Sequence, residues 1–221
     1  MIRVSAIIVA AGEGRRFGSA KQFALLRGKP VIDWSLRAFE AHEKINEIIL
    51  VLPNRERERY FMERYQKIKA VVKGGEKRQD SVLNGFRRIE AQSSGLVLIH
   101  DGARPLVTKD LIGRVIDGAK KRGAVIPVIP VEDTVKEAAA GEIIRTLDRD
   151  TIFRVQTPQG FSWTLLGRAL QQAGADNYYG TDEAALVERL GEKVFTVAGE
   201  TKNIKITTPL HLRMAEAFFE D

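Results

Sequence analysis

The segment Ala10-Ala11-Gly12-Glu13-Gly14-Arg15-Arg16-Phe17-Gly18 follows an apolar run and combines small residues with cations. Small residues let a backbone approach phosphate groups closely, and the loop's N–H groups supply donors. Arg16, and Lys21 just beyond it, would suit a triphosphate. The spacing is not a dinucleotide fingerprint: after Gly12 and Gly14, G-x-G-x-x-G requires glycine at 17, where Phe17 stands. Nor is it a P-loop, because no Gly-Lys-Ser/Thr follows. Taken alone, the loop also reads as a glycine turn carrying surface basic residues.

Other polar segments recur along the chain. Gly74-Gly75-Glu76-Lys77-Arg78-Gln79-Asp80-Ser81-Val82 and His100-Asp101-Gly102-Ala103-Arg104-Pro105 each follow an expected strand. Glu132-Asp133-Thr134-Val135-Lys136 and Asn203-Ile204-Lys205 complete the set. No Ser-His-Asp device is evident. The absence of cysteine excludes disulfides, thiolate catalysis and cysteine metal sites. His42, His100 and His211 are too scattered to suggest zinc.

The elements that must position these residues alternate. Val4 to Ala10, Ile48 to Leu52, Leu96 to Ile99 and Ala124 to Ile129 read as buried strands. Helical spacing joins Ile32, Leu36 and Phe39; Val82, Phe86 and Ile89; and Ile112, Val115, Ile116 and Ala119, with Thr108 as N-cap. This rhythm predicts an α/β fold: a Rossmann-like, mainly parallel sheet flanked by helices. Ligands then bind beyond the carboxyl ends of the strands. Residues 130–156 break the rhythm: Thr134-Val135-Lys136 and Ile143-Ile144-Arg145 flank Ala140-Gly141, predicting a protruding β-arm. Helices resume after Ser162 and Thr181, a strand is expected near Val194 to Val197, and Thr208-Pro209 opens a last helix. A single domain over 1–221 is the simplest organisation.

Hydrophobic residues make up 44% and charged residues 29%, an ordinary globular balance. No apolar run approaches the ~20 residues of a membrane span, and the N-terminus lacks a signal peptide's pattern, so a cytoplasmic location is expected. The net charge of +6 admits a nucleic-acid binder or an enzyme acting on polyanions. Most basic residues interleave with acids, as in Arg55-Glu56-Arg57-Glu58-Arg59, the pattern of a solvated helix face.

The run Ala10 to Phe17 with Lys21-Gln22-Phe23 resembles the signature of sugar-phosphate nucleotidyltransferases. With the other four segments, in matching order over essentially the whole chain, the sequence resembles the 2-C-methyl-D-erythritol 4-phosphate cytidylyltransferases of the non-mevalonate isoprenoid pathway. The resemblance implies transfer of CMP from CTP to that sugar-alcohol phosphate, with release of pyrophosphate. It implies that Ala10, Ala11, Gly12, Gly14, Gly75, Glu76, Ser81 and Gly102 bind CTP, and that Arg16, Lys21 and Lys205 are catalytic. Arg104, Thr134, Arg149 and Thr157 would contact the second substrate. Arg149 would do so across a homodimer formed through the arm; by itself it also reads as a solvated charge. Asp101 is expected to ligate Mg²⁺ or another divalent cation, because a buried carboxylate is costly without a cation; the alternative is a turn-capping Asp. Arg104 alternatively pairs with a local carboxylate, and His100 is expected to be structural.

Two positions depart from the family pattern. Lys202 stands where members often carry Asp, and Glu76 where others have Asp. Ribitol 5-phosphate cytidylyltransferases are the nearest rival group. They tend to have Gly-Gly in the first loop and Val in place of Ala103, so Ala10-Ala11 and Ala103 favour methylerythritol phosphate. A non-catalytic nucleotide- or nucleic-acid-binding protein is the rival of another class. Aromatics at 7% without a basic cluster speak against nucleic acid as a partner, and the retention of Lys21, Asp101 and Lys205 speaks against a mere sensor.

Overall fold

The computed structural model of the chain describes residues 2–14, 16–90 and 95–219. After β1 (Val4–Val9), the short pair β2 (Leu25–Leu26) and β3 (Lys29–Pro30) leads into α1 (Val31–Glu40). Then come β4 (Glu47–Leu52), α2 (Glu58–Arg64), β5 (Ile68–Lys73), α3 (Arg78–Phe86), β6 (Leu96–Asp101), α4 (Lys109–Arg122) and β7 (Ala124–Pro130). A hairpin follows, made of β8 (Lys136–Ala139) and β9 (Glu142–Thr146). The chain continues through β10 (Phe153–Val155), β11 (Gln159–Ser162), α5 (Trp163–Ala175), α6 (Glu183–Arg189), β12 (Phe195–Ala198) and α7 (Pro209–Ala217).

The main sheet runs β10-β7-β11-β6-β1-β4-β5, with β12 on the other edge of β7. The pairs β1–β4, β1–β6, β4–β5 and β7–β12 are parallel, so the expected α/β class is the one observed. Strand residues alternate between two cores. Ile8, Leu50 and Leu98 pack with α1 and α4, while Ile7, Val51 and Val97 pack with α3, α5 and α6. Both faces are covered, which is why these strands read as continuous apolar runs rather than alternating ones. The cap signals act as expected: the hydroxyls of Thr108, Ser162 and Thr208 accept the N–H groups of Leu111, Leu165 and His211.

Two features differ from the sequence reading. The segment after the arm does not merely return: β10 and β11 lie end to end, antiparallel, along one edge of β7, and β11 also pairs with β6. Gly160 permits this insertion, because a Cβ there would crowd Val115 and Ala119 of α4. The free hairpin is therefore narrower than 130–156, since Phe153–Val155 belongs to the main sheet. Arg55–Arg59 is only partly helical: α2 starts at Glu58, and Arg55 folds back on Glu58 with Nη2–Oε2 at 2.6 Å. No helix among the described residues is long and apolar enough to cross a membrane.

Candidate active site

The parallel strands β1, β4, β5 and β6 bring their carboxyl ends to one edge. There Ala10 N–H donates to Val51 O (2.8 Å), Gly74 N–H to Leu52 O (2.8 Å) and Gly102 N–H to Val9 O (2.9 Å). These bonds lace the post-strand segments together into one floor. The glycines are required by contact: a Cβ on Gly74 would run into Ala11, and one on Gly75 into Asp80. Gly14 holds φ +71°, where a side chain would collide with the Ser19 carbonyl. At the start of α3, the Asp80 carboxylate accepts Lys77 N–H (3.0 Å), and Ser81 Oγ accepts Gly75 N–H (3.1 Å).

A cleft opens over this floor, lined by residues 9–12 and 75–78 and by Lys21, Gln22, Asp101 and Lys205. Asp101 is its anchor. It ends β6 and is only 7% exposed, yet Arg78 Nε reaches its Oδ1 at 3.1 Å and Lys205 Nζ reaches its Oδ2 at 2.7 Å. Arg104 Nε lies 3.7 Å from Oδ2. Burial alone would push this carboxyl up; Arg78, Lys205 and Arg104 outweigh it and hold it well below the usual carboxylate range. Lys21 is shifted by other causes. Burial lowers its ammonium below the ordinary lysine range, repulsion from Lys205 and Arg16 adds to the shift, and Asp101 opposes it.

Behind the cleft lies a supporting shell. Thr157 Oγ1 accepts Asp101 N–H (3.1 Å) and sits 3.0 Å from His100 Nδ1. Burial pushes the His100 imidazole down to about 3, so it is neutral near pH 7 and has no charge to contribute. Lys205 arrives on a segment without regular structure, fixed from below. Asn203 is fully buried, its Nδ2 donating to Thr157 O (2.9 Å) while its carbonyl accepts from Arg104 Nη1 (2.8 Å).

The whole arrangement is a cationic cleft around a buried, ionised carboxylate, at the edge where an α/β sheet binds nucleotides. The family model described as 2-C-methyl-D-erythritol 4-phosphate cytidylyltransferase matches residues 4–221. The chain belongs to that family. A cytidylyltransferase of this description from Syntrophus aciditrophicus is 46% identical over 226 aligned residues, covering 99% of this chain and 96% of its own. The crystal structure of 4-diphosphocytidyl-2C-methyl-D-erythritol synthase from Anaerococcus prevotii superposes with a TM-score of 0.88 at 33% identity, covering 99% of this chain and 96% of that one. The 2-C-methyl-D-erythritol 4-phosphate cytidylyltransferase of Thermus thermophilus superposes with a TM-score of 0.81 at 37% identity, covering 99% of this chain and 100% of that one.

Of the residues singled out from the sequence, the fold gathers Ala10, Ala11, Gly12, Lys21, Gly75, Glu76, Ser81, Asp101 and Lys205 around the cleft. Arg16 is exposed on the adjoining loop, which also carries Gly14, and Gly102 packs against Ala10 beneath the lining. Arg104 is tied to main-chain carbonyls of Asn203 and Val155 and to Asp101, the local-carboxylate alternative. Thr157 is buried, its hydroxyl engaged with Asp101 and His100. Thr134 and Arg149 lie at the foot of the hairpin and do not line the cleft of this chain; Arg149 Nη1 donates to Glu132 O at 3.1 Å. Lys202 does not line it either, and its ammonium lies 5.7 Å from the Phe218 ring centroid. Sequence reasoning missed Arg78 and Glu183. Arg78 stood inside a quoted segment, but its acidic partner is 105 residues away and carries no local signal.

Proposed function

We propose that this chain transfers the cytidylyl group of CTP to 2-C-methyl-D-erythritol 4-phosphate, in isoprenoid precursor synthesis, through the Asp101-centred cleft. An oxygen of the methylerythritol phosphate monoester attacks the α-phosphorus of CTP. A new P–O bond forms, the bond from the α-phosphorus to the oxygen bridging the β-phosphate breaks, and pyrophosphate departs. The nucleophile is already anionic, so no strong base is needed; positioning and charge neutralisation carry the catalysis. The observation that supports this most is the convergence of Arg78, Arg104 and Lys205 on a single buried carboxylate, in a cleft that Lys21 also lines, beside a loop of small residues.

In this reading Arg16 and Lys21 hold the triphosphate and Lys205 meets charge at the α-phosphate. Gly75, Glu76 and Ser81 read cytosine and ribose, with Ala10, Ala11, Gly12, Gly14 and Gly102 shaping the nucleotide's path. Arg104 and Thr157 brace the second-substrate side, and Thr134 and Arg149 reach that substrate from a partner subunit's arm. The exposed Ile143 and Ile144 on a hairpin with no core of its own support a homodimer built through it. The reading places the enzyme in the cytoplasm.

Mg²⁺ fits this donor set in one way. The described residues hold no cluster of three or more His, Asp or Glu that could cage a metal, but Mg²⁺ commonly takes one carboxylate, waters and substrate phosphates. Asp101 would supply that carboxylate, and the ion would neutralise phosphate charge.

Pyrophosphate release by the purified protein tests the function. CTP with methylerythritol phosphate is expected to be the productive pair among ATP, GTP, UTP and CTP and among methylerythritol and ribitol phosphates. Preference for ribitol phosphate would keep the chemistry and overturn the substrate; silence with every pair would overturn both.

A further inference from the structure

Arg78 touches two buried carboxylates at once. Its Nε faces Asp101 Oδ1 at 3.1 Å, and its Nη1 is held by both oxygens of Glu183 at 2.8 Å each. Glu183 opens α6 and is 1% exposed; it does not line the cleft. Burial opposes a charge on Arg78, but Asp101 and Glu183 hold the guanidinium above its ordinary range. The ends of this bridge are fixed independently. Asp182 Oδ1 caps α6 by accepting Ala185 N–H (3.0 Å), and its Oδ2 accepts from Gln159 Nε2 of β11 (2.7 Å). Gln79, next to Arg78, donates to Tyr178 O (3.0 Å) and accepts Gly180 N–H (3.0 Å), clamping the approach to α6 onto α3.

We propose that Glu183 is a positioning residue for the transfer, acting through Arg78 on Asp101. A lone arginine beside Asp101 would place its full charge on that carboxylate and draw it out of the cleft. Glu183 binds the far side of the guanidinium, so Arg78 presents only Nε to Asp101. The second carboxylate oxygen then stays turned to Lys205 and the bound nucleotide. A lysine at 78 could not do this, because a point charge lacks the rigid fork that spans two carboxylates. The geometry also gives a division of labour: the triphosphate meets the lysines and the loop, whereas the Glu183–Arg78 bridge sets the carboxylate for the chemical step.

The proposal rests on the reaction given above, so wild-type turnover of CTP with methylerythritol phosphate is the control; its absence would overturn that reading rather than this one. With an active wild type, E183Q keeps the side chain's size but frees the Arg78 charge. It is expected to lower kcat at least about tenfold while the calorimetric Kd for CTP stays within about threefold. E183D, which keeps the charge at a shorter reach, is expected to recover part of the loss. R78K removes the fork without touching Glu183, and serves if E183Q does not fold. Its kcat should fall similarly, and E183Q/R78K should be no worse than the single variants, as coupled residues behave. A kcat within about threefold of wild type in E183Q, a parallel loss of CTP affinity, or additive effects in the double variant would overturn the proposal.

Discussion

Asp101 is buried and touches three cations, whereas every residue of β9 is exposed and its strand pairing is to β8 alone. The cleft and the arm are one chain built under opposite conditions. In the cleft, backbone bonds between strand ends fix the floor, and Asp101 is held by Arg78 and Lys205. Such preorganisation makes electrostatics strong, because the groups need not reorganise during the reaction. In the arm, a two-stranded hairpin has no core of its own, and Ile143 and Ile144 lie 62% and 59% exposed. The difference teaches where each part obtains its order: the cleft from packing and bonds between strand ends, the arm from its two-stranded pairing alone.

The largest effect should come from the cleft. Lys21→Ala removes a half-buried cation and is expected to lower kcat/KM about a hundredfold or more, as measured by pyrophosphate release, with the fold retained by circular dichroism. Arg149→Ala probes the arm and should lower kcat/KM for methylerythritol phosphate about tenfold or more while leaving the Kd for CTP unchanged. If the arm crosses to a partner, refolding the two variants together should restore about a quarter of wild-type sites, because a mixed dimer holds one intact site. No recovery would place Arg149 outside a shared site and dissolve the contrast between self-sufficient cleft and borrowed arm.

The cleft's charge balance gives a pH signature. Asp101 has a folded pKa held below its unfolded value, so its contribution is present above pH of about 4 and is lost as pH falls through the folded value. Asp101→Asn should therefore lower stability by about 3 kcal/mol at pH 7, with the difference from wild type shrinking in acid denaturation curves. Lys21 sets the alkaline side: its lowered pKa predicts that CTP affinity declines at a lower alkaline pH than an ordinary lysine would allow. The smallest effect belongs to the arm surface. Ile143→Glu should change the unfolding free energy of the isolated chain by less than about 0.5 kcal/mol and, on the homodimer proposed above, shift sedimentation from dimer to monomer.

The two regions also differed in how far they could be read from sequence. Continuous apolar runs exposed β1, β4, β6 and β7, though not β5, whose Ile68–Lys73 mixes buried and exposed residues, and Thr108, Ser162 and Thr208-Pro209 marked their helices by local chemistry that acts within one turn. Lys21, Asp101 and Lys205 were legible because each stands in a short segment of recognisable composition. The insertion of β11 between β6 and β7 was not legible, since Gln159-Gly160-Phe161-Ser162 is too short and mixed to announce a strand, and only Gly160's contact with α4 explains it. The Arg78–Glu183 bridge was hidden for a related reason: its partners meet only after the helices pack on one face of the sheet. Thr157 accepts the Asp101 N–H through its hydroxyl, which lies 3.0 Å from His100 Nδ1.

The most direct test of the account is single-turnover reaction of Asp101→Asn with CTP and methylerythritol phosphate, alongside its calorimetric Kd for CTP. A chemical step slowed about a hundredfold or more is expected, with CTP bound at least as tightly when Kd is measured without Mg²⁺, since a negative charge beside the triphosphate has gone. A wild-type rate in this variant would contradict the assignment of Asp101 as the centre of the site.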